Sequence, residues 1–422
     1  MHLSANHSLK HYLSSYLHPR VVSMLFFGIS AGVPYLLITS TFYQWLLEEG
    51  LSQSVITSFA VYTLPLSIKF LWAHWIDHLK IPGLHRLGQY RSWFIFSQLG
   101  VMTSLIFLSQ VVSSENLYLT AGAVFLVSFF SATQDITLGA YRVTILTKEQ
   151  QAFGSSQIVI GYRIGILLSG GVALYASGIW GWSIVYTCLA FVQIQGMITV
   201  LLNPEPAATK NHQKRIRSYE LHRVIQVLYL EFFSKAKWGL FLLYIFLFKF
   251  GDATLNTFTW VFLRKIGFTK EEISLSVSIG FFANALGAAL AGSIIDRFKI
   301  KTSLFITAGL QMVVFLTLWI QAAYPKDHAL MTTTIVLENF VCGFAAACIY
   351  TLFAYRVSKR FSAIQYTFFA SFASFSKVII ATLGGFLLKN LEWHDFFAAM
   401  FIAPILSLYI IYQLHSQKKE AI

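Results

Sequence analysis

The sequence has few charged residues for its length. Of its 422 residues 12% are charged, whereas soluble globular domains carry about 25%. A soluble chain with so little charge could not cover its surface, so a soluble domain is excluded. The apolar residues come in long continuous runs rather than alternating with polar ones. Runs of about 20 apolar residues suit helices that cross a bilayer, and helices satisfy their own backbone hydrogen bonds in lipid.

Cysteine is scarce, and the three residues Cys188, Cys342 and Cys348 each lie inside an apolar run. The number is odd and no CxxC spacing occurs, which argues against a disulfide framework or a metal site. Residues 1–20 are polar and contain no apolar core, so we expect no cleaved signal peptide. No HExxH, GxSxG, phosphate-loop or paired-carboxylate motif lies outside the predicted membrane spans. We therefore predict no catalytic residue and no cofactor.

The apolar runs predict about a dozen transmembrane helices. We place them at 21–46, 53–76, 92–112, 117–141, 154–178, 182–202, 238–263, 272–295, 302–323, 330–355, 363–388 and 393–414. Most connections between them are short. One connection, 203–237, is long, polar and basic, and it follows six spans and precedes six more.

The distribution of cations predicts the orientation of the chain. With both termini in the cytoplasm, the inside segments hold 22 of the 31 Lys and Arg residues and the outside loops hold 5. This asymmetry follows the positive-inside rule. It also explains most of the net charge of +13. Because the cations are spread over short loops, we do not expect a nucleic-acid partner.

The two halves of the chain contain an internal repeat. Ala140-Tyr141-Arg142-Val143 recurs as Ala354-Tyr355-Arg356-Val357, and Gln151 recurs as Gln365 at the same shift of 214. Arg163 recurs as Lys377 at this shift, and each is followed by a Gly-Gly pair. Related six-helix halves are typical of major-facilitator-type transporters, whose substrate site lies at mid-membrane. We predict an all-α membrane protein with pseudo-symmetric halves at 1–202 and 238–422, joined by the linker 203–237.

Seven charged side chains lie well inside the predicted spans. They are Lys69, Asp135, Arg163, Lys249, Asp252, Glu338 and Lys377. Each costs about 2.5–3.5 kcal/mol on insertion scales if it faces lipid. We therefore expect these side chains to face a central cavity or to pair with each other.

The residue types suggest roles for these charges. A guanidinium suits a bidentate grip on a carboxylate, so we predict that Arg163 binds an anionic solute, with Lys377 as its repeat mate. Asp135 could bind a cation, carry a proton, or pair with Lys69 or Arg163. Lys249 and Asp252 share a helix face and could form a local ion pair or contact solute. Glu338 could carry a proton or bond a neighbouring helix. The amides Gln134 and Asn339, beside Asp135 and Glu338, complete the predicted solute site.

Four further charges predict a cytoplasmic gate. Asp77 and Asp296 end the second and eighth spans, at the helix end where the dipole disfavours an anion. Arg142 and Arg356 end the fourth and tenth spans on the same side. We predict the ion pairs Asp77–Arg142 and Asp296–Arg356, which would close the cytoplasmic side. The alternative is that these are solvated loop charges. In the first span, Gly28 and Gly32 permit close helix packing.

Seven segments of the chain resemble one known family. They are GISAGVPYLL (28–37), KFLWAHWID (69–77), SATQDI (131–136), GYRIGILLSGG (161–171), KFGDA (249–253), LENFVCG (337–343) and FSAIQY (361–366). Together they resemble the muropeptide permeases of the major facilitator superfamily, the AmpG-like permeases, over nearly the whole chain. The family usually continues QDI with a second acid and a Trp-Lys pair. Here Gly139 stands where the acid is expected, followed by Tyr141 and Arg142.

The resemblance implies a proton-driven importer in a bacterial inner membrane. It would take up N-acetylglucosamine–anhydro-N-acetylmuramyl peptides by alternating access. The positions that match the family are Lys69, Gln134, Asp135, Arg163, Lys249, Asp252, Glu338 and Asn339. We predict a monomer whose partners are this sugar-peptide, a proton and the lipid bilayer. The alternatives are a transporter of another anionic solute, such as an acyl-coenzyme A, and a membrane sensor that moves no solute.

Overall fold

The structure is a computed structural model that describes residues 9–112, 116–206, 238–359 and 361–416. These residues form helices and loops and contain no strand. The chain divides into two compact units. The first comprises Met1–Ser218 and Val357–Phe368, and the second comprises Tyr219–Arg356 and Phe369–Ile422. Most of the predicted linker 203–237 lies outside the described residues.

The first unit contains the first six spans, and several of them consist of consecutive helical segments. A short helix, Leu9–Tyr16, precedes them, and Pro19 opens the first span at a position where its fixed φ suits a helix. The first span comprises Pro19–Leu37 and Ser40–Glu48, and the second comprises Gln53–Ser58, Phe59–Thr63, Pro65–Ile68, Lys69–Leu71 and Ala73–His78. The third span is Gln89–Val111 and the fourth is Leu117–Ile145. The fifth comprises Gln150–Leu167, Leu168–Val172 and Ala173–Trp180, and the sixth comprises Trp182–Ala190 and Val192–Leu202.

The second unit contains the remaining spans, except that the eleventh begins within the segment Val357–Phe368 of the first unit. Their helices are Trp238–Lys265, Lys270–Ala323, His328–Arg356, Ser362–Leu387, Trp393–Met400 and Ile402–Ser416. Among the described residues, 10 helical segments are long and apolar enough to cross a membrane. One of these, Lys270–Ala323, is interrupted at Lys299 (φ 67°), where the eighth span ends and the ninth begins. With this division, and with the 26-residue helix Ser362–Leu387 added, the count is consistent with the twelve predicted spans.

The first and fifth spans approach each other closely at small residues. A Cβ at Gly28 would meet the carbonyl oxygen of Ile158, and one at Gly32 would meet that of Tyr162. The predicted use of Gly28 and Gly32 in close packing is confirmed. The fifth span therefore lies with its backbone against the first span, and this contact fixes the position of Arg163 between its neighbours Gly161 and Gly165.

The internal repeat has a local structural basis. Gln151 donates from its Nε2 to the carbonyl oxygen of Arg142 at 3.3 Å, and its repeat mate Gln365 accepts the backbone N–H of Ser358 at 2.7 Å. Each glutamine thus lies in the first turn of a span and bonds the backbone just before it: Gln151 bonds the end of the fourth span and Leu146, and Gln365 bonds Ser358. The Ser362-x-x-Gln365 spacing is also the sequence signature of a helix N-terminus, and the eleventh span begins there.

Candidate functional site

An ion pair between two spans lies in the first unit. Lys69 Nζ is 3.1 Å from Asp135 Oδ2, and the two side chains are 13% and 31% exposed. Lys69 belongs to the second span and Asp135 to the fourth. Of the roles that the sequence left open for Asp135, the structure places it in contact with Lys69. The exposure of the carboxylate leaves this pair accessible from one side.

The second span is not a continuous α-helix where it carries Lys69. Pro65 opens a new helical segment, and Lys69–Leu71 is a 3₁₀ turn. The residues on either side of the turn, Ile68 (φ −99°, ψ 12°) and Trp72 (φ −114°, ψ 4°), leave the helical region. Trp72 donates from Nε1 to Thr133 Oγ1 at 3.1 Å. The irregular turn is therefore attached to the fourth span within a few residues of Asp135.

Gln134 and Arg163 lie in different surroundings. Gln134 is fully buried, and its Nε2 donates to Gln193 Oε1 at 3.4 Å, while Gln193 donates to the carbonyl of Ser30 at 2.9 Å. Gln134 thus joins the packing of the fourth, sixth and first spans. Arg163 is half-buried on the fifth span. One turn beyond it the helix widens to a π-helix, Leu168–Val172, where Thr41 donates to the carbonyl of Ser169 at 2.7 Å.

The second unit contains an ion pair within one helix. Lys249 Nζ is 2.8 Å from Asp252 Oδ2, and the side chains are 14% and 9% exposed. Asn256 donates to the carbonyl oxygen of Asp252 at 2.7 Å and to its Oδ1 at 3.4 Å. Both carboxylate oxygens of Asp252 therefore have a donor on the same helix. Lys249 and Asp252 form the local pair that the sequence allowed, and they move as part of one helix.

The tenth span carries Glu338 and Asn339, both half-buried. Asn339 donates to the carbonyl of Ile335 at 2.9 Å, and its own carbonyl accepts from Asn284 of the eighth span at 2.9 Å. Asn339 thus supports the packing of the eighth and tenth spans. Lys377 lies on the eleventh span, but its side chain is outside the described part of the chain.

Asp77 lies at the N-terminus of the eleventh span. Its Oδ1 accepts from Tyr90 Oη at 2.7 Å and from the backbone N–H of Ala363 at 3.2 Å, and its Oδ2 accepts from the N–H of Ile364 at 3.2 Å. Tyr90 Oη is also 2.8 Å from Ser362 Oγ. The Asp77 carboxylate therefore accepts three hydrogen bonds, two of them from the N-terminal amides of the eleventh span.

The predicted Asp77–Arg142 pair is wrong in its partner. Asp77 needs positive charge, as expected, but the N-terminal amides of a helix supply it. Arg142 is fully buried and donates to Ser155 Oγ at 2.7 Å, and its guanidinium lies 5.1 Å from the centre of the Tyr366 ring.

The position of Arg356 resembles that of its repeat mate Arg142. Its guanidinium lies 4.8 Å from the centre of the Phe241 ring, within the second unit. Both arginines therefore end their spans against an aromatic face. The Asp296–Arg356 pair stays a prediction.

Gly139 packs against the same ring as Arg142. A Cβ at Gly139 would overlap the ring of Tyr366. The acid that the AmpG-like pattern has at this position would not fit beside that ring without a shift of the backbone or the tyrosine. The difference from the AmpG-like pattern at Gly139 therefore lies where the fourth span packs against Tyr366, near the start of the eleventh span.

Three residues of this contact were missed in the sequence: Tyr90, Ser362 and Tyr366. The signature at Ser362 predicts a helix start, but no local pattern indicates that Asp77 would cap it. Tyr90 and Tyr366 are neutral, so a search for charges inside spans passes over them. The other missed residue is Trp72, in the matched segment KFLWAHWID. This segment is rich in aromatic residues, and nothing in it indicates which of them forms a hydrogen bond to another span.

Comparisons with known proteins agree with this fold. The chain matches the family model of the Major Facilitator Superfamily over residues 21–375 and 241–421. A protein named putative transporter AmpG 3, from Rickettsia prowazekii (strain Madrid E), is 31% identical over 405 residues, which cover 94% of this chain and 96% of that protein. The anhydromuropeptide permease of Escherichia coli (strain K12) is 27% identical over 403 residues, covering 95% and 80%.

The fold also resembles that of solved transporter structures. FucP, a Major Facilitator Superfamily transporter solved in the outward conformation, superposes with a TM-score of 0.68 at 13% identity, covering 96% of this chain and 100% of FucP. The chain belongs to the Major Facilitator Superfamily and is a multi-pass membrane transporter. Within the superfamily it is an AmpG-like member, as the matched segments predicted.

Proposed function

We propose that the protein imports cell-wall-derived anhydromuropeptides together with protons, by alternating access. The observation that carries this proposal is the Lys69–Asp135 ion pair, which joins two spans inside an AmpG-like transporter. Placing two opposite charges at this depth is costly and serves little purpose for stability. Such a pair does suit a solute that carries its own charges and a proton that changes the charge of the site.

The chemistry of the solute fits the cations of the spans. An anhydromuropeptide carries peptide carboxylates, and Lys69, Arg163 and Lys249 are the described cations in the predicted membrane interior. A half-buried guanidinium at Arg163 can hold a carboxylate through two parallel hydrogen bonds. The name of the Escherichia coli relative, anhydromuropeptide permease, supports the same class of solute. We place the protein in a bacterial inner membrane with both termini in the cytoplasm.

The Asp77 contact is proposed as the cytoplasmic gate. We define this gate as Asp77, Tyr90, Ser362 and the amides of Ala363 and Ile364. Its two parts are far apart in the sequence. The start of the eleventh span can leave only if three hydrogen bonds break: those from the N–H groups of Ala363 and Ile364 to Asp77, and the one between Tyr90 and Ser362. The two bonds to the Asp77 carboxylate each contribute about 1.5–3 kcal/mol. Opening toward the cytoplasm would exchange these bonds for bonds to water.

Uptake of a radiolabelled anhydromuropeptide into proteoliposomes tests the proposal. With an inward proton gradient the solute should accumulate, and a protonophore should reduce uptake to the equilibrium level. An Arg163→Gln variant should retain folding and lose at least tenfold in apparent affinity, because one charged grip is removed. If the protonophore does not reduce accumulation, proton coupling is rejected. If Arg163→Gln binds the solute with wild-type affinity, the proposed binding of a solute carboxylate by Arg163 is rejected. Competition by unlabelled acetyl-coenzyme A would favour the alternative solute.

A further inference from the structure

The two ion pairs in the spans differ in a way that separates their roles. Lys249 and Asp252 lie on one helix, and Asp252 has a second donor in Asn256. Lys69 and Asp135 lie on two different spans, and the one contact between them uses Oδ2 of Asp135. A movement of the second span relative to the fourth can separate Lys69 from Asp135. The same movement leaves Lys249 and Asp252 together.

Lys69 lies where its span is irregular. The 3₁₀ turn Lys69–Leu71 is short, and its flanking residues Ile68 and Trp72 have left helical φ and ψ values. A 3₁₀ stretch inside a helix is a frequent site of a functional hinge. Discontinuous spans are also where transporters place their solute and coupling-ion sites. The irregular backbone and the ion pair therefore point, as independent observations, to one site.

The charge balance of this pair links proton binding to anion binding. A proton on Asp135 removes the negative partner and leaves Lys69 as an uncompensated charge inside the span, which is strongly unfavourable. A carboxylate from the solute restores the balance. The site is then neutral both when empty and when loaded with one proton and one carboxylate.

The other charges near the fourth span have partners of their own. On the second span, Asp77 bonds Tyr90 of the third, and His74 lies edge-on to its neighbour Trp75. Arg91 of the third span donates to the carbonyl of Leu201 at 3.0 Å. Lys69 is the charged group in contact with Asp135. On the remaining neighbours, Arg20 of the first span donates to the carbonyl of Ile145 at 3.4 Å, and Arg163 is half-buried on the fifth span.

We propose that Lys69 and Asp135 form a proton-exchange site for a carboxylate of the solute: Asp135 takes the proton, and Lys69 then takes the carboxylate. The proposal rests on the proposed function and specifies the group that couples the two ligands. Glu338 then has no part in coupling. Because linkage is reciprocal, solute affinity rises as pH falls, by up to about tenfold per pH unit when one proton is taken up with one carboxylate.

Calorimetry on the purified protein tests this linkage. N-acetylglucosaminyl-anhydromuramyl tripeptide is titrated in buffers of different ionisation enthalpy, which reports the protons taken up on binding. The wild type should take up about one proton per solute. Asp135→Asn should bind with no proton uptake and an affinity that no longer depends on pH, and Lys69→Gln should bind at least tenfold more weakly. Proton uptake that persists in Asp135→Asn, or that disappears in Glu338→Gln, would overturn the proposal.

Folding and solute identity are separated from the site by two further measurements. The double variant Lys69→Gln/Asp135→Asn removes both charges, so it should regain the thermal stability that either single variant loses. Infrared difference spectra recorded with and without excess acetate, a small carboxylate, should show a protonated-carboxyl band that is absent in Asp135→Asn and present in Glu338→Gln. If the wild type ignores the muropeptide but shows this band, the proposed solute fails and the proton site stands. If the band is present in Asp135→Asn, the proton site fails.

Discussion

Gly139 and Tyr366 provide the sharpest test of the cytoplasmic gate. A methyl group at Gly139 would overlap the Tyr366 ring, and overpacking of this kind costs about 1–3 kcal/mol. Ala also gains about 1 kcal/mol over Gly in helix propensity. Gly122 is a matched control, because it lies on the same helix, Leu117–Ile145, with nothing within 4 Å of an added Cβ. The difference between Gly139→Ala and Gly122→Ala should therefore isolate the contact.

The readout is alkylation of an Ala363→Cys reporter in a background whose three cysteines are replaced by serine. Ala363 is fully buried while the gate is closed, so alkylation measures opening. A cost of about 1–3 kcal/mol corresponds to about five- to 150-fold faster alkylation, since 1.4 kcal/mol is tenfold. Tyr366→Ala should remove the clash, so Gly139→Ala should have no further effect in that variant. Equal rates for Gly139→Ala and Gly122→Ala, with unchanged thermal stability, would refute the contact.

Three further outcomes follow from the same structure. Asp77→Asn should speed alkylation of Ala363→Cys severalfold, because the amide that replaces the carboxylate has one accepting oxygen for the two N–H groups of Ala363 and Ile364. Glu205→Gln should lower stability by about 0.5–2 kcal/mol, seen in thermal unfolding with solute affinity unchanged, because Glu205 accepts two N–H groups at the start of the third span. Lys249→Met should destabilise the protein by about 3–5 kcal/mol, and the double variant Lys249→Met/Asp252→Leu should recover most of it.

The spans were predictable because their signal is local. Apolar length locates each crossing helix to within a few residues, as at Leu117–Ile145 against the predicted 117–141. The close approach at Gly28 and Gly32 was also predictable, since small residues at a spacing of four lie on one helix face. The irregular turn in the second span was not predicted. Pro65 was its visible signal, but a hydropathy run contains no information on how the backbone continues past a proline.

The partners of charged side chains were predictable only in kind. We expected positive charge beside Asp77. Partial positive charge does lie there, but it comes from two helix amides that are 286 and 287 residues further along the chain. Any span that starts on the same side could have supplied such amides. Lys69 and Asp135 could be identified as buried charges, whereas their contact at 3.1 Å depends on the path of an irregular span. Pairing across spans is a property of packing, and one sequence does not specify it.

The position of Gly139 also bears on the identity of the solute. An altered residue beside the QDI motif would suggest a different cargo if it lay at the solute site. Gly139 instead contacts Tyr366, next to the start of the eleventh span, whereas the Lys69–Asp135 pair lies about one turn earlier on the fourth span. Of the neighbouring departures, Arg142 lies against that ring, and Tyr141 donates to the carbonyl of Pro204, after the sixth span, at 3.0 Å. Gly139 and Arg142 therefore belong to the packing against Tyr366 beside the proposed gate, and Tyr141 belongs to the packing against the end of the sixth span. Because these contacts lie outside the Lys69–Asp135 pair, Gly139→Ala should change the rate of uptake while the affinity for the solute stays the same.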